Sequence, residues 1–218
     1  MEDKRFKNRL FGRTRGRNKK INIQNYKKLI DKYKLTNMSS KKNYILDIGT
    51  GYGETSIYLS NKYPNHNIIS CDKYIDGNLN LIKQIKNKNI KNIFIHHGNV
   101  YDFFEKNDKK EYFDKIWIFF PDPWPKKKHF KRRLITKSFL EILYPLIKPN
   151  GEVCIATDST SYFRFILMTI FKSKKLYKWL NQNESHLSLK DYYSIETKYY
   201  KKAIISARKP SLLIIRKI

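Results

Sequence analysis

The sequence predicts an α/β fold, a doubly wound domain with a mainly parallel sheet flanked by helices, and three observations carry that prediction. Short apolar runs alternate with segments of helical period between Tyr44 and Phe171, the pattern of strands joined by helical crossovers. The first run, Tyr44-Ile45-Leu46-Asp47-Ile48, ends in Gly49-Thr50-Gly51-Tyr52-Gly53 and then a helix-like segment, the strand, glycine loop and helix that open such domains. Polar features follow successive runs: Asp47 with the glycines, Asp72, Asn99, Asp122 and Asp158. Ligands of these sheets bind beyond the carboxyl ends of the strands, so these residues are expected to line one cleft.

In chain order, residues 1–20 carry Arg or Lys at nearly every second position with little apolar content. They are expected to be a flexible arm that folds on a polyanion. Residues 21–218 are then a single domain, a length at which one core is well buried. Residues 21–37 predict a helix with Ile23, Tyr26, Leu29, Ile30 and Tyr33 on one face. Tyr44 to Ile48 is the first strand, and Glu54 to Tyr63 a helix. Asn67 to Cys71 is the second strand, closed by Asp72, and Asp76 to Lys86 a helix with Leu79, Ile82 and Ile85 inward. Ile93 to His97 is the third strand, with Gly98-Asn99-Val100 after it, and Phe113 to Phe120 the fourth. Leu134 to Ile147 reads as an amphipathic helix stopped by Pro149-Asn150-Gly151. Glu152 to Thr157 is the fifth strand and Ser161 to Phe171 a very apolar helix. Tyr177 to Leu180 and Leu212 to Ile215 predict two closing strands, and residues 182–210 show little periodicity.

The net charge is +27, which points to a polyanionic partner. Lysine is a blunt probe here, because Lys, Asn, Ile and Tyr, with their AT-rich codons, abound throughout. Arginine is sharper. Of ten arginines, seven fall in two places, Arg5, Arg9, Arg13, Arg15 and Arg17 near the start and Arg132 and Arg133 later. A guanidinium fork binds phosphate in two-pronged fashion. Cys71 and Cys154 lie in strand-like runs and read as buried thiols of a reducing compartment. No run approaches the ~18 apolar residues of a membrane span, and the basic start lacks the apolar region of a secretory signal. The five histidines, His66, His96, His97, His129 and His186, have no metal-ligand spacing.

The most informative stretch runs from Phe119 to Arg133. It leaves a buried strand, turns through Pro121-Asp122-Pro123-Trp124-Pro125, and ends in Lys126-Lys127-Lys128-His129-Phe130-Lys131-Arg132-Arg133. An apolar scaffold thus delivers one carboxylate on a rigid turn, with cations directly behind it. That order is expected of an active site with a polyanion-binding lip. Trp124 has two readings, stacking on a base or packing under the loop.

The glycine loop discriminates between ligands. A dinucleotide site has G-x-G-x-x-G, with pyrophosphate at the helix N-terminus. Here the third glycine comes one residue early, at Gly53, and Glu54 holds the next place, where a carboxylate repels pyrophosphate. The spacing Asp47-x-Gly49-x-Gly51-x-Gly53 suits S-adenosyl-L-methionine, whose ammonium and sulfonium tolerate carboxylates. Asp72 is then placed to accept from ribose hydroxyls and Asn99 to meet the adenine edge. A nicotinamide-dependent enzyme is the alternative at this point.

Asp47-Ile48-Gly49-Thr50-Gly51-Tyr52-Gly53, Phe120 to Arg133, Thr157-Asp158 and Thr197-Lys198-Tyr199 resemble the bacterial tRNA (guanine-N7)-methyltransferases, from about Arg9 to the C-terminus. The Pro-Asp-Pro-Trp segment with its basic tail is specific to that family; the glycine loop is common to class I methyltransferases. The resemblance implies a Rossmann-like class I methyltransferase with a seven-stranded, mainly parallel sheet, and methyl transfer from S-adenosyl-L-methionine to N7 of a guanosine in the tRNA variable loop. It implies cofactor positions at Asp47, Gly49, Gly51, Gly53, Asp72, Asn99, Val100 and Asp122, with Asp122 also catalytic. It implies substrate positions at Lys126, Asp158, Thr197, Lys198 and Tyr200, and RNA contacts from Lys128, His129, Phe130, Lys131, Arg132 and Arg133. The expected setting is the cytoplasm, with tRNA as partner, no metal, no membrane, and a monomer or homodimer without an obligate protein partner. The chain departs from the family in having Asp47 and Asp72 where Glu is common, Asn99 where Asp is common, and Tyr200 where the motif Thr-Lys-Phe-Glu ends in Glu. The rival readings are another RNA methyltransferase on the same fold and a noncatalytic RNA-binding module; the intact glycines argue against the second.

Overall fold

The computed structural model describes residues 14, 22–39, 41–107, 111–181 and 187–218. The expected arm therefore lies outside the described residues except for Thr14, whose carbonyl accepts a hydrogen bond from the Ile75 N–H at 2.9 Å. The strands are β1 Tyr44–Ile48, β2 Asn67–Asp72, β3 Ile93–His97, β4 Phe113–Phe119, β5 Ile147–Thr157, β6 Tyr177–Trp179 and β7 Ser211–Lys217. They form one seven-stranded sheet in the order β3-β2-β1-β4-β5-β7-β6. Pairs β1–β2, β1–β4, β2–β3 and β4–β5 are parallel, while β7 runs antiparallel to β5 and β6. The strand order reverses between β1 and β4, which opens a crevice at their carboxyl ends.

The helices are α1 Ile23–Asp31, α2 Glu54–Lys62, α3 Ile75–Asn87, α4 Val100–Lys106, α5 Lys137–Leu143, α6 Thr160–Lys172, α7 Leu189–Tyr192 and α8 Lys198–Ile205. Side chains alternate along each strand, so the sheet feeds two cores. Leu46, Ile48, Ile116 and Ile118 face α4, α5 and α6, meeting Phe104, Phe139 and Tyr162. Ile45, Trp117 and Phe119 face the other way and meet Ile57, Leu81, Ile82 and Ile85 of α2 and α3. Tyr26 and Ile30 of α1 are buried in that second core. The strands being covered on both faces explains why the sequence shows continuous apolar runs rather than alternation.

Several elements differ from the sequence expectation. The helix expected from Leu134 to Ile147 is α5 alone, followed by a 3₁₀ turn, Tyr144–Leu146. Thr136 caps α5 by accepting from the Phe139 N–H at 3.2 Å, and Pro145 has no N–H to continue the α-helical ladder. β5 then starts early, with Ile147 opposite Phe113, and bulges before Glu152 resumes opposite Lys115; Asn150 takes a left-handed φ of 62° there. The basic tract forms a 3₁₀ helix, Lys127–Arg132. Helices α4, α7 and α8 were not expected. Cys71 and Cys154 are free and buried. Among the described residues no helix is long and apolar enough to cross a membrane.

Candidate active site

The crevice at the switch point is a cleft of about 760 Å³. Its floor on one side is the glycine loop after β1. The Asp72 carboxylate accepts from the Gly51 N–H at 2.8 Å and the Tyr74 N–H at 2.9 Å, which holds a loop whose Gly51 has φ 55°. Gly77, in the first turns of α3, presses on the same loop. A Cβ there would overlap the Gly51 carbonyl oxygen, so only glycine allows the approach. Sequence reasoning missed Gly77; a glycine inside an otherwise periodic helix is the signal that could have found it.

Asp47 does not line the cleft. It is buried under the loop and accepts from the Ser56 hydroxyl at 2.7 Å. Burial pushes its pKa up to about 7, opposed by the Ser56 hydrogen bond and reinforced by Asp72 and Glu54. Asp72 does line the cleft, and burial raises its pKa too, against the hydrogen bonds from Gly51 and Tyr74. Asn99 is taken up differently from the expected ligand contact. Its side chain caps α4, accepting from the Tyr101 N–H at 3.1 Å, and Gly98 and Val100 line the cleft on either side of it.

The opposite wall is the turn after β4. Phe120 and Trp124 have φ of 52° and 43°, a conformation that costs a bulky residue roughly 1–3 kcal/mol and concentrates at functional sites. Between them Asp122 is exposed and lines the cleft. The turn is fixed at both ends. The Phe120 N–H donates to the Ala156 carbonyl at 2.8 Å. Arg133 is 3% exposed and donates through Nε to the Pro123 carbonyl at 2.8 Å and through Nη2 to Ser161 Oγ at 3.2 Å. Its guanidinium sits 3.7 Å from the Phe130 ring centre. This corrects the expectation for Arg133, which is an internal brace rather than a phosphate contact, with the half-buried Phe130 packed against it. Lys127, Lys128 and Lys131 are exposed on the 3₁₀ helix, and Lys126 is exposed just before it. Arg132 lies over the Trp124 ring at 4.9 Å, and His129 meets that ring edge-on at 5.7 Å. Trp124 and Arg132 both line the cleft, so the indole is not packed under the loop.

The third wall is the start of α8. Thr197 is 4% exposed and caps the helix by accepting from the Tyr200 N–H at 3.0 Å, so it acts here as a positioning residue. The Lys198 N–H donates to Glu54 Oε1 at 3.3 Å, and the Lys198 ammonium lies 4.6 Å from the Tyr52 ring centre. Tyr200 packs against the core of the α2–α3 face; the cleft is lined by Tyr199 instead. Asp158 pairs with Arg208 at 2.7 Å, and it too is absent from the cleft lining. The tyrosines Tyr52, Tyr74 and Tyr199 all line the cleft; Tyr52 and Tyr199 fall inside the glycine-loop and Thr197-Lys198-Tyr199 motifs with no role assigned to them there, and Tyr74 had no sequence signal in a chain with 16 tyrosines. Among the described residues no three acidic, histidine or cysteine side chains could hold a metal ion.

A family model described as "Putative methyltransferase" matches residues 41–211. A tRNA (guanine-N(7)-)-methyltransferase of Wolbachia pipientis wMel is 34% identical over 190 residues, covering 87% of this chain and 80% of the relative. A "Bifunctional methyltransferase" of Rickettsia conorii is 33% identical over 192 residues, covering 88% of this chain and 36% of the relative. The chain thus spans about a third of the length of the bifunctional relatives it matches. Among solved structures, a Streptococcus mutans methyltransferase in complex with SAH aligns at a TM-score of 0.51 and 12% identity, covering 91% of this chain and 99% of that one, a likeness of fold. The matched model spans most of the sheet and all three walls of the cleft, and the chain belongs to the methyltransferase family that includes the tRNA (guanine-N(7)-)-methyltransferases.

Proposed function

We propose that this protein transfers a methyl group from S-adenosyl-L-methionine to N7 of a guanosine in the variable loop of tRNA. The observation that carries this reading is the placement of Asp122 across one cleft from the glycine loop and directly before the exposed lysines of the 3₁₀ helix. The cleft suits the methyl donor. Asp72 and Asp122 offer carboxylates to its cationic and ribose groups, and Ile48, Val100 and Leu134 offer apolar contact to its adenine. A Cβ on Gly49 would meet nothing within 4 Å, so the loop is open to a ligand there. Glu54 at the start of α2 disfavours the pyrophosphate of a dinucleotide.

Bound in this cleft, S-adenosyl-L-methionine supplies an electrophilic methyl on a sulfonium. Guanine N7 carries an in-plane lone pair and no hydrogen, so the residues need not remove a proton. Their work is alignment, which lowers such barriers by roughly 7–11 kcal/mol, and compensation of the positive charge that methylation leaves on the ring. Asp122 does the second by its charge, and the braced turn preorganises it. Lys126, Lys128, Lys131 and Arg132 neutralise phosphates around the target, and residues 1–20 extend that clamp. The setting is cytoplasmic, and the chain works as a monomer or homodimer without an obligate protein partner. The test is incubation with labelled S-adenosyl-L-methionine and a tRNA transcript, followed by nucleoside analysis. 7-Methylguanosine is expected; a different methylated nucleoside, or none across several tRNAs, would overturn the reading.

A further inference from the structure

Phe120 and Tyr199 come from distant parts of the chain and meet in the cleft with ring planes 24° apart and centroids 6.4 Å apart. Both are held there at a cost. Phe120 is a bulky residue in a left-handed backbone conformation, φ 52°, tied by its N–H to Ala156. Tyr199 sits in the first turn of α8, whose start is fixed twice, by the Thr197 cap and by Glu54 accepting from the Lys198 N–H. Despite this anchoring Tyr199 is 53% exposed, so folding has ordered an aromatic side chain without burying it. Its ring also reaches the glycine loop, lying 3.8 Å from where a Gly51 Cβ would stand. The pair therefore spans the cleft from the loop on one side to the Asp122 turn on the other.

Aromatic pairs pack either edge-on or offset-stacked; Tyr52–Tyr74 and Phe119–Phe120 are edge-on here, while Phe120–Tyr199 is near-parallel and half open to the cleft. Near-parallel faces that line an open cleft, one of them 53% exposed, suit a flat ligand lying against both. Nucleobases supply such a face, and stacking on aromatic side chains is how splayed RNA bases are held. Trp124 is the competing platform, but its indole carries Arg132 over the ring and His129 at its edge, which places it in the basic lip. We propose that Phe120 and Tyr199 form the platform on which the guanine to be methylated is stacked, an inference that rests on the methyltransfer reading above. The platform fixes the base plane, and Asp122, two residues beyond Phe120, then faces the edge of that base.

The test compares Tyr199→Leu, Tyr199→Phe and Phe120→Leu by steady-state kinetics on tRNA and by calorimetry with S-adenosylhomocysteine. Leucine keeps bulk and removes the π-face, so Tyr199→Leu and Phe120→Leu should each lower kcat/KM for tRNA roughly 10- to 100-fold, the loss expected for one base stack. Affinity for S-adenosylhomocysteine should not change, which also shows that the variants fold. Tyr199→Phe restores the face and should recover most of the loss. If Tyr199→Leu keeps the wild-type kcat/KM while the wild type makes 7-methylguanosine, the platform is wrong and the reaction stands. If Tyr199→Leu instead weakens S-adenosylhomocysteine binding and leaves kinetics at saturating donor unchanged, the pair holds the donor's adenine and the assignment to the target base is overturned. A wild type that methylates no tRNA removes the reading of the reaction, and the platform's ligand with it.

Discussion

Asp122 and Asp47 are both aspartates at the ends of adjacent parallel strands, yet they sit in opposite surroundings. Asp122 is exposed in the cleft, so Asp122→Ala should leave the thermal midpoint nearly unchanged. If Asp122 aligns the base and offsets its charge, the variant should lower the single-turnover methylation rate by about 10²- to 10³-fold, the scale of losing one preorganised electrostatic partner. Retained turnover would remove Asp122 from the mechanism. Asp47 is buried with a pKa pushed from 3.8 up to about 7. Between those two values the folded protein holds a proton that the unfolded chain has lost. Stability must then fall as pH rises from about 4 to about 7, by up to ~1.4 kcal/mol per unit, and level off above. Asp47→Asn keeps an acceptor for Ser56 and removes the ionisation. Urea titrations at several pH values should show that slope flattened, with the variant more stable than wild type at pH 8. A variant that keeps the slope would assign it to other groups. The positions of these aspartates were legible because each follows an apolar run. Their environments were not, since the sequence marks the end of a strand but not whether the side chain there turns under the loop or into the cleft.

The turn and the glycine loop are the two elements whose shape the proposed reaction depends on, and Arg133 and Gly77 are among the residues that set them. Arg133 supplies charged hydrogen bonds from a buried position to the backbone of Pro123 and to Ser161. Arg133→Met keeps the packing on Phe130 and leaves those acceptors without a donor, which should cost about 2–4 kcal/mol. Circular-dichroism melts should show the loss, and kcat should fall with it as Asp122 loses its fixed position. A variant as stable and active as wild type would make Arg133 a bystander. Gly77→Ala places a methyl against the Gly51 carbonyl; calorimetry should show S-adenosylhomocysteine affinity reduced by at least about tenfold as the loop shifts. Unaltered affinity would mean that the loop is not set by α3. In sequence, Arg133 looks like its neighbours in the basic tract, because charge runs do not reveal which member points inward. Helix α8 was illegible for a related reason. Its stability comes from the Thr197 cap rather than from an apolar stripe, for only Ala203 is buried while Ile204 and Ile205 are 51% and 86% exposed. Helix α4 hid because Asn99, read as a ligand residue, is its cap. The parallel strands were legible because burial on both faces makes each a continuous apolar run.

At the scale of the whole molecule, charge and topology address different parts of the task. The reversal of strand order between β1 and β4 places the cleft, and any ligand that fits is held by a few residues. On the proposed function, the net charge of +27 acts over the full RNA surface, through contacts that carry no sequence information but set affinity and its salt dependence. Residues 1–20 contain five arginines, Arg5, Arg9, Arg13, Arg15 and Arg17, in addition to the lysines of the 3₁₀ helix. If each neutralises one phosphate, deleting residues 1–20 should flatten the log–log dependence of tRNA affinity on salt by about 3.5–4.5, at 0.7–0.9 per contact. Affinity at low salt should drop sharply, while kcat at saturating tRNA should change little, because Asp72, Asp122 and the aromatic pair all lie downstream. Filter-binding or fluorescence titrations from low to moderate salt measure the slope, and single-turnover assays measure the rate. An unchanged slope would leave the 3₁₀ lysines and Arg132 to carry the binding alone. A collapsed rate at saturation would mean that residues 1–20 also shape the cleft; the Thr14 carbonyl meets the start of α3.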